Sequence, residues 1–285
     1  MSGVIKHHFF IKSLFSFAIL TTVGFLPPFS PSANAESVLQ ILPTRVVLAK
    51  ERSMTVTLVN RGNEEGSYRL FLRNIRLDEN GKFSEVAETE VPLEGELFAD
   101  KMIQFSPRRV TVPANSKQQV KVVLRKPKDL ATGEYRSHLV FRKLPKQESV
   151  LDNNDKKMDF SLKPIVEVTI PVIVRHGELQ AKASIDDIKL SRNEDNAQEI
   201  SMVINRTGTR SLYGDVNIWW TPPNAEKQRI AFAKGLAVYT PNTTRKFAVG
   251  VLPGFVVTEK GALSVEFIED PAYGGDQTAK KDKAW

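Results

Sequence analysis

An alternation of apolar and polar positions runs through residues 158–175, MDFSLKPIVEVTIPVIVR. Almost every even-numbered position is apolar, which is the period of a β-strand with one apolar face. Pro164 and Pro171 lie inside this stretch, and proline is confined to edge strands or bulges because it has no N–H for the ladder. The pattern therefore predicts a long apolar edge strand. We interpret it as an edge kept open for pairing with another chain, and an ordinary edge strand between two domains is the alternative.

Shorter strands with turn signals between them precede this one. They are predicted at residues 38–48, 54–59, 68–75, 102–105, 109–112, 118–124 and 133–142. Asn60-Arg61-Gly62 and residues 78–81, DENG, are typical turns, and residues 145–157 are polar enough to predict a flexible loop. No helical period of useful length occurs. Short strands at this spacing predict an immunoglobulin-like sandwich.

The second half of the chain repeats this organisation. Strands are predicted at residues 179–190, 199–204, 213–220, 235–239, 244–249 and 262–268. Residues 204–208, INRTG, correspond to the turn at residues 59–62, VNRG. We therefore predict an all-β fold of two tandem immunoglobulin-like β-sandwich domains, residues 36–175 and 176–275. Residues 276–285 are charged and are predicted to be a disordered tail.

The N-terminus has the pattern of a secretory signal. Lys6 and Lys12 form a positive start before an apolar segment at residues 13–26, which is too short for a membrane helix. Residues 33–35, ANA, form an A-x-A cleavage site, so residues 1–35 predict a signal peptide that is cleaved after Ala35. Because this segment carries two lysines and no acids, its removal lowers the net charge from +7 to +5.

Composition and motifs argue against catalysis and against nucleic acid. The basic residues are dispersed, without a basic helix interleaved with aromatics. The chain has no cysteine, and His138 and His176 lack metal-site spacing. No G-x-S-x-G elbow is present. We therefore expect no enzyme activity, no metal, no cofactor, no small-molecule substrate and no nucleic-acid partner.

Two binding alternatives remain open. Trp219 and Trp220 would suit a carbohydrate-binding module, although neighbours on a strand face opposite ways and one of the rings should be core. A two-domain adhesin or fibre component would need a donor extension at the mature N-terminus. Residues 36–41 are short for that purpose.

The chain from residue 37 to about residue 270 resembles the periplasmic pilus-assembly chaperones of the chaperone–usher pathway. The resemblance is carried by residues 43–48, PTRVVL, residues 133–139, GEYRSHL, and residues 170–175, IPVIVR. It implies a periplasmic protein that binds pilin or fibre subunits and delivers them to an outer-membrane usher, in a pathway of cell wall organization. It also leaves open a free protein that caps its own edge by dimerising.

The resemblance further implies a set of donated side chains. Chaperones of this family lend the seventh strand of domain one to a subunit that lacks its own last strand. By position, the donor side chains are Phe160, Leu162, Val166 and Val168, with Ile170 next in line.

The resemblance also implies an anchor for the carboxylate at the subunit's C-terminus. Arg45 matches the family's first-strand Arg, and a guanidinium suits a carboxylate. Pro171 stands where the family has a seventh-strand Lys, which indicates a divergent branch, and Arg175 is the candidate substitute. A solvated strand arginine is the alternative for Arg45.

Overall fold

A computed structural model describes residues 37–145, 164–258 and 260–284. The predicted signal peptide with its cleavage site after Ala35, most of the predicted loop at residues 145–157, and the candidate donors Phe160 and Leu162 lie outside the described residues. Within the described ranges the only helical segments are two short 3-10 turns, Asp100–Met102 and Pro271–Tyr273. Neither of these turns is long enough to span a membrane.

The first half of the chain forms a two-layer sandwich. Its strands, in chain order, are β1 (Leu39–Leu42), β2 (Val46–Leu48), β3 (Ser53–Asn60), β4 (Gly66–Arg73), β5 (Ile75–Leu77), β6 (Phe83–Glu85), β7 (Ile103–Ser106), β8 (Arg109–Val112), β9 (Lys117–Leu124), β10 (Gly133–Lys143) and β11 (Glu167–His176). One sheet has the order β1-β3-β9-β7 and the other β2-β11-β10-β4-β8. Alternate residues of both sheets meet in one core, in which Leu48, Leu58, Leu70, Leu139 and Phe141 are fully buried.

Two stretches of this sandwich change sheets, and each does so next to a proline. The first strand pairs with β3 up to Leu42 and resumes after Pro43 as β2, beside β11 in the opposite sheet. Residues 103–112 behave in the same way, with β7 and β8 separated at Pro107. Proline cannot donate to a ladder, so the chain leaves one sheet where it occurs and joins the other.

The second half forms a sandwich of its own. Its strands are β12 (Ala181–Arg192), β13 (Gln198–Gly208), β14 (Leu212–Thr221), β15 (Gln228–Val238), β16 (Thr244–Gly250), β17 (Ala262–Glu269) and β18 (Thr278–Ala284). The sheets have the orders β12-β13-β16 and β15-β14-β17-β18, and their inward faces build a second, separate core. The prediction of an all-β fold with two tandem immunoglobulin-like sandwiches is confirmed.

The predicted disordered tail at residues 276–285 is wrong for most of its length. Strand β18 pairs with β17 at every position from Ala262↔Ala284 to Ile268↔Thr278. This strand is not recognisable in the sequence because the strand carries three lysines and an aspartate, and Ala279 is its one residue in the core. Charged side chains suit a strand at the rim of a sheet, since they discourage pairing with a further chain.

A third apolar cluster joins the two sandwiches. It consists of Leu77, Ile173, Ala237 and Tyr239, with Val47 and Tyr213 packed against it. Strands β5 and β6 form a small hairpin whose turn reaches strand β16, where the Lys246 N–H donates to the carbonyl of Glu79 at 2.7 Å. The sequence predicted the turn of this hairpin but not its strands, which are three residues each.

Candidate functional site

Strand β11 is an edge strand along only half of its length. It pairs with β10 from Glu167 to His176, but β2 covers its other side only at Val172, Ile173 and Val174. Among the described residues, none pairs with that side from Glu167 to Pro171. The predicted edge is therefore present in the first half of the strand. In the second half the prediction is wrong, because the chain folds back after Pro43 to cover it.

An apolar groove of about 270 Å³ lies at the open half of the strand. It is formed between the start of the first strand and the interior face of β11. Its lining consists of Ser37, Val38, Leu39, Tyr68, Phe141, Lys143, Val166 and Val168. An open ladder edge beside an apolar groove offers a guest strand both hydrogen bonds and a place for side chains.

The candidate donor side chains are distributed unequally around this groove. Val166 is 50% exposed, and Val168 is partly buried against the core. Ile170 is only 3% exposed and belongs to the core of the first sandwich. Ile170 is therefore not available as a donor in this structure, since its side chain already fills the protein's own interior. Val166 and Val168 remain as the described candidates.

Arg45, the predicted anchor, lies at the junction of the two sandwiches. It is 5% exposed, so it is not a solvated strand arginine. Its Nη2 donates to the hydroxyl of Tyr239 at 2.8 Å, and its guanidinium carbon lies 3.5 Å from the ring centroid of Tyr213. Its Nε is buried without a hydrogen-bond partner. A buried guanidinium that has an unpaired N–H and that contacts the neutral side chains of Tyr239 and Tyr213 is well suited to bind an anion.

Arg136 is a second buried cation beside Arg45, and the sequence analysis did not identify it. Its guanidinium carbon lies 4.0 Å from the ring centroid of Tyr239, and its Nη1 and Nη2 donate to the carbonyls of Thr240 and Ile75 at 3.3 and 3.4 Å. Its Nε also lacks a partner. Burial lowers the pKa of Arg136, and the charge of Arg45 acts in the same direction.

His138 adds to this cluster as a neutral group. It is buried on the same face of β10 as Arg136, two residues further along the strand. Burial, followed by the charges of Arg136 and Arg45, lowers the pKa of His138 from 6.5 to about 3. The alternation of Glu134, Arg136 and His138 on a central strand was the available signal for a polar face. That the second sandwich would contact Glu134 and Arg136 was not predictable from it.

Arg175, the candidate substitute for the missing lysine, is already paired. Its Nε lies 3.0 Å from a carboxylate oxygen of Glu134, and its Nη1 donates to the carbonyl of Tyr273 at 2.9 Å. Glu134 also accepts from the Ser211 N–H at 3.0 Å. Arg45 and Arg175 are thus brought to the same junction, where Arg45 lies 5.9 Å from the Tyr273 ring. The charge of Arg175, however, is neutralised by Glu134.

The other candidate groups lie apart from this junction. Trp220 is buried in the second core, and Trp219 is half-buried on the outer face, with the ammonium of Lys227 5.0 Å from its ring centroid. This cation occupies the ring face that a sugar would need. Among the described residues, no three His, Cys, Asp or Glu side chains are clustered as a metal site would require.

Comparisons with known proteins give structural similarity alone. No family model and no curated protein matches the sequence. Among solved structures, the chain is similar to the CsuC–CsuE chaperone–tip adhesion subunit complex of Acinetobacter baumannii, at 12% identity and a TM-score of 0.44, over 85% of this chain and 97% of the other. It is also similar to the CupB2 chaperone of Pseudomonas aeruginosa, at 15% identity and a TM-score of 0.41, over 87% of this chain and 99% of the other. The similarity to the SafA pilin–SafB chaperone complex of Salmonella enterica has 11% identity and a TM-score of 0.42, over 86% of this chain and 95% of the other.

Many of the structures that this chain resembles are thus chaperones of pilus or fimbria assembly.

Proposed function

We propose that this protein is a periplasmic chaperone for pilus or surface-fibre subunits, to which it lends the open half of β11 as an additional strand. The observation that supports this most directly is the edge from Glu167 to Pro171 beside the apolar groove at Val166 and Val168. Delivery of the bound subunit to an outer-membrane usher is part of the same proposal.

The proposal has a simple energetic basis. A subunit that lacks a strand exposes an apolar cleft and unpaired backbone groups, and both are costly in water. Pairing with β11 satisfies those backbone groups, and each aliphatic side chain that enters the cleft contributes roughly 1.5–3 kcal/mol before entropy costs. Val166 is half exposed before any partner binds, so little rearrangement of the chaperone is needed.

The direction of β2 supports a terminal carboxylate as the group bound near Arg45. Strand β2 runs parallel to β11 and begins at Val46, directly after Arg45 and opposite Val172. A guest strand that occupies the open half of β11 in the same direction would end where β2 begins. Its C-terminus would then approach Arg45.

We further propose that Arg45 and Arg136 bind this carboxylate together. Each has a buried Nε without a partner, and their guanidinium carbons lie 5.3 and 4.0 Å from the ring centroid of Tyr239. Exchange of the Tyr239 hydroxyl for a carboxylate would give the Arg45 guanidinium a partner of opposite charge in place of a neutral one. Arg175 would serve indirectly, because its ion pair with Glu134 fixes the junction.

Strand donation is tested with the mature protein and a labelled peptide of alternating apolar and polar residues, by fluorescence anisotropy. Val166→Asp places a charge in the groove and should weaken binding about tenfold or more. Ile165→Asp is the matched control, since Ile165 is 73% exposed and does not line the groove. Equal affinities for the two variants would rule out the groove as the binding site.

The carboxylate anchor is tested by amidation of the same peptide. Loss of the terminal charge should weaken binding to the native protein about tenfold, as expected for a charged hydrogen bond. In Arg45→Ala the preference for the free peptide should shrink, and in the double variant Arg45→Ala with Arg136→Ala the free and amidated peptides should bind alike. Tyr239→Phe removes the hydroxyl but keeps the guanidinium, and should preserve the preference for the free carboxylate. An undiminished preference for the carboxylate in that double variant would refute the anchor.

A further inference from the structure

A row of arginines crosses the outer face of the first sandwich. Arg109 of β8 lies directly opposite Arg69 of β4, which lies directly opposite Arg142 of β10. Arg142 in turn lies opposite Glu167 of β11. Residues in directly opposite positions on adjacent strands share one face of the sheet, so four side chains form a line across four strands. We call Arg109, Arg69 and Arg142 the arginine row.

Among the described residues, carboxylates neutralise the positive charge of the row at one end only. Glu167 accepts hydrogen bonds from Arg142 at 2.6 Å and from Arg73 at 2.8 Å. Burial alone would raise the pKa of Glu167, but the hydrogen bonds from these two arginines outweigh it and lower that pKa. Arg69 and Arg109 are both exposed, and within the described part of the chain no carboxylate pairs with either of them.

This arrangement is unfavourable in the isolated protein. Like charges directly opposite each other on neighbouring strands destabilise a sheet. An anionic partner would reverse the sign of this contribution, because each guanidinium would then face a carboxylate. The row lies on the outer face of the sheet, whereas the groove proposed for subunits lies on its inner side, so the two surfaces are separate.

The surroundings of the row favour a protein partner. The ring of Phe71 lies beneath two guanidiniums, with its centroid 4.9 Å from the Arg142 carbon and 5.2 Å from that of Arg73. Ile165, close to Glu167 in the chain, is 73% exposed. Apolar groups beside a narrow line of charge suit a chain with mixed side chains. A uniformly anionic surface would instead meet the carboxylate of Glu167 at the end of the line.

We propose that the arginine row binds an extended acidic segment of a partner protein. Adjacent strands lie about 4.8 Å apart, and alternate residues of an extended chain lie about 6.7 Å apart on one side. Carboxylates at every second position of such a segment can therefore reach successive arginines of the row. This interaction is independent of strand donation and does not rest on the function proposed above.

The test uses the mature protein and a labelled synthetic peptide in which Glu alternates with Thr, with a Gln-Thr peptide as the neutral probe. The variant Arg69→Gln with Arg109→Gln should bind the acidic peptide about tenfold more weakly, because two exposed ion pairs contribute up to about that factor. The matched control is Arg52→Gln with Lys121→Gln, which removes two exposed charges outside the row. It should change affinity less than about twofold.

Several results would overturn the proposal. Equal weakening in the two double variants would indicate attraction by net charge alone. Binding of the neutral peptide as strong as that of the acidic one would exclude recognition of carboxylates. Preferential binding to phosphatidylglycerol vesicles, or self-association that is lost only in the row variant, would assign the surface to a lipid or to a second copy. The Val166→Asp variant should bind the acidic peptide normally, which separates this surface from the groove.

Discussion

At the scale of single residues, the junction shows how burial decides what an ionisable side chain can do. His138 is enclosed and its Nδ1 has no hydrogen-bond partner. Arg136 and Arg45 contribute positive charge nearby, so protonation of the imidazole is opposed by both desolvation and repulsion. The result is a buried neutral histidine that feels the positive charge of two arginines.

His138 should make the protein less stable in mild acid. Its folded pKa of about 3 lies below the unfolded value of 6.5, so the unfolded chain binds a proton that the folded chain cannot. Stability is therefore complete above pH 6.5 and falls by about 1.4 kcal/mol per pH unit as the pH drops toward 3. At pH 5 the loss amounts to about 2 kcal/mol. Urea unfolding of the native protein and His138→Phe at pH 7.5 and pH 5 measures this difference.

The variant should be nearly insensitive to pH across that interval, because the carboxyl groups titrate mostly below it. An identical pH dependence in the native protein and in His138→Phe would show that His138 does not carry the effect. His176→Phe is the comparison, since this second histidine is only partly buried.

At the scale of elements, the strands could be predicted from alternation and turn residues, but their partners could not. Strand β8 has the bounds that the sequence predicted, because Pro107 and Pro113 delimit it on both sides. The prolines also predicted that β11 lies at an edge. The pairing of Val172–Val174 with β2 depends on contacts between distant parts of the chain, which alternation within a strand does not encode.

The same reasoning explains the misassigned C-terminal strand. A strand is recognised in a sequence when apolar and polar residues alternate along it. Strand β18 has a lysine or an aspartate at most positions, so no alternation is visible. Similarly, an arginine on a central strand cannot be distinguished by sequence from one on the surface. For this reason Arg45 was identified through resemblance, and Arg136 was not identified.

Removal of β18 should destabilise the second sandwich. A chain that ends after Gly275 loses the ladder with β17 and uncovers the core at Ala279. We expect a loss of more than about 3 kcal/mol in the free energy of unfolding, because several backbone hydrogen bonds contribute roughly 1 kcal/mol each. Chemical denaturation measures it, with Lys281→Thr as a control that keeps the strand. Unchanged stability would restore the prediction of a disordered tail.

At the scale of the whole molecule, the two sandwiches are joined by side chains that belong to neither core. Ile173 faces outward from β11 and packs with Leu77, Ala237 and Tyr239, whereas Val174 faces the core of the first sandwich. The ion pair of Arg175 with Glu134 and the contact of Glu79 with Lys246 add polar links at the same junction. These contacts predict that the sandwiches unfold together.

Weakening the junction should separate the two unfolding events. Ile173→Ala leaves a cavity between the sandwiches, at a cost of about 2–5 kcal/mol, without entering either core. We expect calorimetry to show one transition for the native protein and two for this variant. Val174→Ala should lower the unfolding temperature through the first core but keep a single transition. Two transitions in the native protein, or a single one in Ile173→Ala, would contradict the coupling.

The position at which β2 begins limits the length of the strand that a partner can add to β11. Val46 ends the open edge, so a guest strand has the positions from Glu167 to Pro171, and the few residues before them, in which to lie. A guest whose last segment is too long would collide with this protein's own first strand. The protein would then distinguish partners by the length of their terminal segment and by its alternation of apolar and polar residues. Partners with little sequence in common would bind equally well, whereas a partner lengthened by a few residues at that end would not bind.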